Sequence, residues 1–358
     1  EFIDENVITQ AELAQRMGRP LKTINGIVKG KTAITPQTAF ELEKVLGPSA
    51  EFWLQLERNY QLQKAELDDA EEMLKAKEWC QQFPLNEMKK LGWIEYEQNP
   101  VSKTENLLKY FSVANPNAYH KNYSNRYAMG THYRLSQASR RNQHAITAWL
   151  RQGSHQARAL SITAYNRAKL TNNLSAIKEL MMQEKADFFN DLTDILHQTG
   201  VKLVHTPCLP KAPLSGSTRW INEQPVIQVS NRFKRDDIFW FTLFHEIGHV
   251  LKHERTSKKQ VFIEGEAIEY NEEALKKEDE ANAFAAKWLL PTKHDKAILN
   301  KLQDGEDFAR IDELAKELNT TSSLLLGRRI RLEEDKNFVK RLSMLGWSQG
   351  VFEKVEMQ

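Results

Sequence analysis

Between Asp236 and Glu254 the chain reads DDIFWFTLFHEIGHVLKHE, with apolar side chains on nearly every side of a helix and three ionisable residues, His245, Glu246 and His249, in its middle. A helix that is apolar all round belongs in a core. Polar groups left unpaired there cost roughly 2 to 7 kcal/mol each, so these three need a partner. Residues four apart lie on one helical face, so His245 and His249 can aim both imidazoles at one metal ion. This is the H-E-x-x-H pattern, in which the two histidines hold zinc and the intervening glutamate takes a proton from the attacking water.

The third ligand divides the possible classes. The extended signature needs glycine at 252 and histidine at 255, and the chain has Lys252 and Arg255, which excludes it. His253 lies two turns beyond His245 and is a poor substitute. A carboxylate from a later segment is therefore expected, and KEDEANAFAAKWLLP offers one. Glu278 and Asn282 are four apart on one face of a predicted helix, with Ala281, Phe284, Ala285 and Leu289 as its apolar stripe. Glu278 can ligate while Asn282 bonds a ligand histidine and fixes its ring; Glu280 points elsewhere.

The preceding stretch reads as a helix over 187–198, a strand in VKLVHTP, and a hairpin of SGSTRWI and PVIQVS around Asn222, Glu223 and Gln224. A short sheet followed at once by such a helix is the order found in zinc peptidases. The edge of the sheet can receive an extended peptide as an added strand. Trp220 is read as core.

The N-terminal segment is a bundle of short helices. Thr9 and Glu12 form a capping box for QAELAQRM, Gly18 ends it, Pro20 suits the first turn of LKTINGIVK, and Gly30 closes that helix. Two helices joined by a tight turn are the helix-turn-helix unit, whose second helix enters the major groove. Leu21, Ile24 and Val28 are expected to face inward, leaving Lys22, Thr23, Asn25 and Lys29 outward. Arg19, Lys22, Thr23, Asn25, Lys29 and Lys31 are the expected contacts to phosphates and base edges; Gly26, which costs the helix about 1 kcal/mol, counts against tight binding. Thr35-Pro36 opens a third helix, Gly47-Pro48-Ser49 precedes a fourth, and 61–79 is read as a charged helical connector.

Beyond Glu105 no acidic residue occurs until Glu179, while Lys121, Arg126, Arg134, Arg140, Arg141, Arg151, Arg158, Arg167 and Lys169 alternate with Tyr119, Tyr123, Tyr127 and Tyr133. Basic residues with aromatics between them suit a single-stranded nucleic acid. Docking on the acid-rich 264–280, or on a protein partner, is the favoured reading. The tail, IDELAKELNTTSSLLLGRRI, is read as a structural helix pair. Two distant cysteines, Cys80 and Cys208, make no disulfide framework. No apolar run approaches the ~18 residues that cross a bilayer, and no signal peptide opens the chain, so a cytoplasmic protein without membrane contact is expected. Glu1 in place of methionine suggests a trimmed start.

The stretch from Thr9 to Leu62 resembles the HigA-like antitoxins of the XRE helix-turn-helix class, which implies operator DNA as partner, a homodimer through this domain, and often a cognate toxin. FWFTLFHEIGHVLKH and EDEANAFAAKWLLP resemble the ImmA/IrrE family of metallopeptidases over residues 185–330. That resemblance implies a zinc endopeptidase acting on DNA-binding repressors, with His245, His249 and Glu278 as ligands and Glu246 as general base; the family often has aspartate where this chain has Asn282. The expected fold is α+β and mostly helical. An all-α helix-turn-helix domain spans 1–67, a helical basic middle segment 68–184, and a zincin-like domain with a small sheet 185–358. Two functions stand side by side: a regulatory protease of a repressor, or of a toxin-antitoxin or stress or phage-related operon, and an antitoxin and autorepressor whose zincin domain is latent or a scaffold.

Overall fold

The computed structural model describes residues 8–124, 133–135, 143–185, 187–232, 235–253, 261–265, 268–270, 272–302 and 308–333. Arg126, Tyr127, Arg140 and Arg141 lie outside them. The chain divides into two compact units, Glu1–Lys77 with Asn99–Thr104, and Glu78–Gln98 with Glu105–Gln358.

Among its described residues the first unit is all-helical. It contains α1 (Gln10–Met17), α2 (Leu21–Val28), α3 (Pro36–Leu46) and α4 (Ala50–Lys75). Side chains satisfy the N-terminal amides of three of these helices: Thr9 accepts from Glu12 N, Thr35 from Thr38 N and Ser49 from Phe52 N. The carboxylate of Glu12 goes to Arg16. Gly18, at φ 64°, ends α1 in the left-handed region that favours glycine. The fourth helix and the expected connector are one continuous helix to Lys75, because nothing between Ala50 and Lys75 breaks it: the stretch holds neither glycine nor proline.

On α2 the inward face differs from expectation. Ile24 is buried and Ile27 packs on the same core with Leu13, Ala39 and Trp53. Leu21 and Val28 are 45% and 50% exposed. The core-facing line runs between Ile24 and Ile27, which leaves Leu21 and Val28 on its margin. Gly26 has a local reason. A Cβ there would stand 2.3 Å from Thr32 Oγ1, in the turn where Lys31 N and Thr32 N both donate to Gly26 O.

Short helices follow: α5 (Lys77–Cys80), α6 (Leu85–Lys90), α7 (Pro100–Phe111), α8 (Pro116–Tyr119) and a π-helical turn at His120–Ser124. Next come β1 (Tyr133–Leu135), α9 (Gln143–Ala159), α10 (Arg167–Met182) and α11 (Phe188–Gln198). The sheet strands are β2 (Lys202–His205), β3 (Leu214–Ile221), β4 (Gln224–Val229) and β5 (Val261–Gly265), with α12 (Asp236–Lys252) between the last two. Then β6 (Ile268–Tyr270), α13 (Glu272–Leu289), a 3-10 turn at Thr292–His294, α14 (Asp295–Lys301), α15 (Phe308–Glu317) and α16 (Ser322–Glu333) are the last elements among the described residues.

The four-stranded sheet has the order β2-β4-β3-β5, with β2 parallel to β4 and the other pairs antiparallel. Asn222 and Glu223 both take positive φ, 48° and 65°, as a two-residue hairpin turn requires. Alternate residues serve opposite faces. Leu203, Ile227 and Val229 join α12 in the main core, whereas Val204 and Val226 pack with Ala157 of α9 and Gln228 donates to Trp149 O at 2.8 Å. The sheet is thus a layer between α9 and α12.

The acid-free segment supplies much of this interior. Tyr119 is fully buried, in edge contact with Trp79, Phe83 and Phe111. Tyr123 donates to Phe111 O at 2.7 Å, and buried Arg151 donates to Tyr110 O and Ser112 Oγ at 2.9 and 2.7 Å. These residues serve packing, so they are not available to a nucleic-acid groove. The segment also reaches the acid-rich stretch: β1 pairs antiparallel with β6, in a register that sets Arg134 opposite Glu269. The tail pair packs as structure, with Leu324 in the main core, Ser323 donating to Asp236 at 2.7 Å and Gly327 close against Asp237.

Candidate metal centre

The centre lies where α12 crosses α13 and faces β3 and β5. Gly248 permits the crossing. A Cβ there would stand 3.2 Å from Ala281 Cα, so the glycine brings the two helix backbones close enough for Glu278 to reach the histidines.

His245, Glu246 and His249 are 2%, 0% and 1% exposed, as burial of an all-apolar helix requires, and Glu278 is 7% exposed. The Nε2 atoms of His245 and His249 are 2.9 Å apart. Glu278 faces both, with Oε2 at 3.1 Å from His245 Nε2 and Oε1 at 3.5 Å from His249 Nε2. One ligand atom from each of the three lies within 4.8 Å of the others. Two nitrogens ~2.05 Å from a tetrahedral zinc stand about 3.3 Å apart, close to this arrangement.

The charge states fit a cation as well. Burial lowers His249 to about 4, so its ring is neutral at neutral pH. For Glu278 burial acts upward, but the imidazoles of His245 and His249 that face it outweigh burial and hold the carboxyl at about 2. Neutral imidazole and ionised carboxylate are the forms that coordinate. His245 Nδ1 lies 2.9 Å from Asn282 Oδ1. The amide oxygen only accepts, so Nδ1 carries the proton and Nε2 turns its lone pair inward. The donor set is two imidazole nitrogens and one carboxylate, which suits zinc and leaves a coordination position for a reactant.

Glu246 occupies the seam between α12 and β3. Its backbone carbonyl accepts from Thr218 Oγ1 at 3.2 Å. A Cβ on Gly216 of β3 would stand 2.6 Å from Glu246 Oε1 and 2.6 Å from Thr242 Cγ2, so the glycine gives the carboxylate its room.

Three neighbours were not assigned roles from the sequence. His253 Nδ1 lies 3.1 Å from His249 Nδ1, and its Nε2 lies 3.1 Å from Glu280 Oε2. Phe262 of β5 stacks on His249, with centroids 4.1 Å apart and planes at 18°. A signal for His253 was present, since it continues the four-residue spacing of His245 and His249. None pointed to Phe262, which comes from another strand.

Of the expected DNA contacts, Lys22, Lys29 and Lys31 are exposed and Thr23 and Asn25 half-buried. Arg19 is tied to Glu41 by two bonds of 2.8 and 3.0 Å. Among the described residues no helix is long and apolar enough to cross a membrane.

Comparison with known proteins finds one family match in each of the two units. The family model for the helix-turn-helix matches residues 4–54 and that for the IrrE N-terminal-like domain matches residues 196–328. An uncharacterized HTH-type transcriptional regulator of Escherichia coli (strain K12), YddM, is 35% identical over 66 residues, which are 18% of this chain and 70% of that protein. No solved structure matches. The chain therefore joins, in one polypeptide, a helix-turn-helix domain of the kind found in HTH-type transcriptional regulators and an IrrE N-terminal-like domain of the peptidase M78 family, a metallopeptidase-family fold.

Proposed function

We propose that this chain is a zinc-dependent regulatory endopeptidase carried on a DNA-binding domain, and that it cleaves a DNA-binding repressor. The observation that carries the reading is the convergence of His245 Nε2, His249 Nε2 and the Glu278 carboxylate within 4.8 Å, one residue along α12 from the buried carboxylate of Glu246. His245, His249 and Glu278 would hold the metal. When bound, zinc polarises a carbonyl and lowers the pKa of water.

The rest falls to the chain's own residues. Glu246 takes the proton of the attacking water and returns it to the leaving amine. Asn282 keeps His245 in the ligating tautomer. Strand β5 is the edge of the sheet on the side of the site, and Phe262 anchors it to His249. An extended peptide added along that edge would bring a carbonyl toward the centre. The basic surface of α2 and the turn that follows it, with Lys22, Lys29 and Lys31, would hold operator DNA and bring the peptidase to promoters where repressors sit.

Glu246→Gln keeps the shape and the three ligands. It should retain zinc and lose at least about 100-fold in cleavage, as removal of a positioned acid-base group does. Equal cleavage by that variant, on any repressor cut by the unaltered protein, would exclude the mechanism. The antitoxin and autorepressor reading draws on the 66-residue match that covers 70% of an HTH-type transcriptional regulator. Under it, operator binding would persist and cleavage would be absent in both proteins.

A further inference from the structure

The two histidines of the centre are not backed alike. His245 Nδ1 meets a neutral amide, Asn282 Oδ1, at 2.9 Å. His249 Nδ1 meets another imidazole, His253 Nδ1, at 3.1 Å, and that ring in turn meets a carboxylate, Glu280 Oε2, at 3.1 Å through its Nε2.

The proton positions in this row follow from its chemistry. If His249 Nε2 gives its lone pair to the centre, Nδ1 carries the proton and donates. Its acceptor is His253 Nδ1, which must then be unprotonated, so the single proton of a neutral His253 sits on Nε2 and donates to Glu280. Reversing any bond would put a proton on Nε2 of His249, where coordination needs a lone pair. The row therefore has one self-consistent state, and its outer end is an anion. Phe262 covers His249 and lies 5.5 Å, centroid to centroid, from the His253 ring. His253 is only 6% exposed, so the charge is passed inward through a dry layer.

We propose that His253 and Glu280 are positioning residues: the carboxylate of Glu280, acting through His253, fixes the tautomer and ring angle of His249 and raises the affinity of this chain for its metal. The inference rests on the reading of His245, His249 and Glu278 as ligands. It places on the His249 side the anionic support that Asn282, a neutral amide, does not give His245. Such outer partners change metal affinity by about 10- to 100-fold.

The test uses the purified full chain. Zinc affinity is measured by competition with a chromophoric chelator, and the visible absorption of the cobalt(II)-substituted protein reports ligand geometry. His253→Ala removes the acceptor and is expected to weaken zinc by about 10- to 100-fold and shift the cobalt bands. His253→Asn keeps an acceptor for His249 but cuts the link to Glu280, so it should recover part of the loss. Glu280→Gln, at a side chain 46% exposed, removes only the charge and should weaken zinc several-fold in a protein that folds normally. Once His253 is alanine, the Glu280→Gln change should have no further effect, the coupling expected of one connected row. Unchanged zinc affinity and cobalt spectrum in both Glu280→Gln and His253→Asn would overturn the proposal while leaving the metal centre standing. Failure of the unaltered protein to bind either metal would overturn the centre and the proposal together.

Discussion

Replacing Glu278 by glutamine changes the charge at the centre while keeping the size of the side chain and an oxygen beside the histidines. Glu278 faces His245 and His249 at 3.1 and 3.5 Å and is held ionised at about 2 against its burial. The amide needs no such support, so the metal-free variant should fold. Its zinc affinity should fall by at least about 100-fold, at or above the upper end of what an outer partner contributes. With zinc at about 100 times the dissociation constant of the unaltered protein, binding stabilises the folded state by about 2.7 kcal/mol. That corresponds to a rise of about 5–10 °C in melting temperature for a domain of ~200 residues. In Glu278→Gln the same zinc is at or below the weakened constant, leaving at most about 0.4 kcal/mol, a shift of about 1–2 °C. Thermal unfolding of both proteins with and without zinc, after chelator treatment, measures the difference. An equal zinc shift in the two would refute the assignment of Glu278, and no shift in either would refute the centre.

Three further outcomes follow from the geometry. Gly216→Ala places a methyl 2.6 Å from Glu246 Oε1 and Thr242 Cγ2; zinc content should be unchanged while cleavage falls about 100-fold, the effect of a ~1 Å misplacement, and full cleavage would show that the carboxylate has slack. Replacing Lys22, Lys29 or Lys31 singly by alanine should reduce the slope of log affinity for duplex DNA against log salt by about 0.9 for each phosphate no longer neutralised, measured by fluorescence anisotropy, whereas Arg19→Ala, which breaks the pair with Glu41, should lower the melting temperature of the first unit. Burial raises Asp236 to about 6 despite its bond to Ser323; the folded state then holds a proton that the unfolded state releases, so this group costs stability as pH rises from about 4 to 6. Asp236→Asn should therefore gain on the unaltered protein over that interval and keep the gain above it, with no difference below about pH 4, as followed by urea unfolding.

Much of this was readable because it is local. The spacing of His245 and His249, the buried character of α12 and the placing of Glu278 and Asn282 on one face of α13 all follow from the 3.6-residue period, and the caps at Thr9 and Thr35 from the residue types that start helices. The hairpin at Asn222-Glu223 was legible from the alternation of its strands. Helix α2 shows where periodicity fell short: Leu21 and Val28 fit an inward stripe, but the tilt of α2 on its neighbours chose Ile24 and Ile27. Arg19 reads as one more free cation until the fold brings Glu41 beside it.

The sequence by itself determined the chemical inventory, two histidines and a carboxylate able to share a cation, a glutamate between them, and a basic helix at the other end of the chain. The tertiary structure decided what each of these groups faces. Gly216 and Phe262 lie on strands distant in sequence from α12, and Glu280 reaches His249 only through His253, because α13 crosses α12 closely over Gly248. Such contacts depend on how elements pack, which no single-helix period encodes, so the backing of the site lies in the fold rather than in the motif.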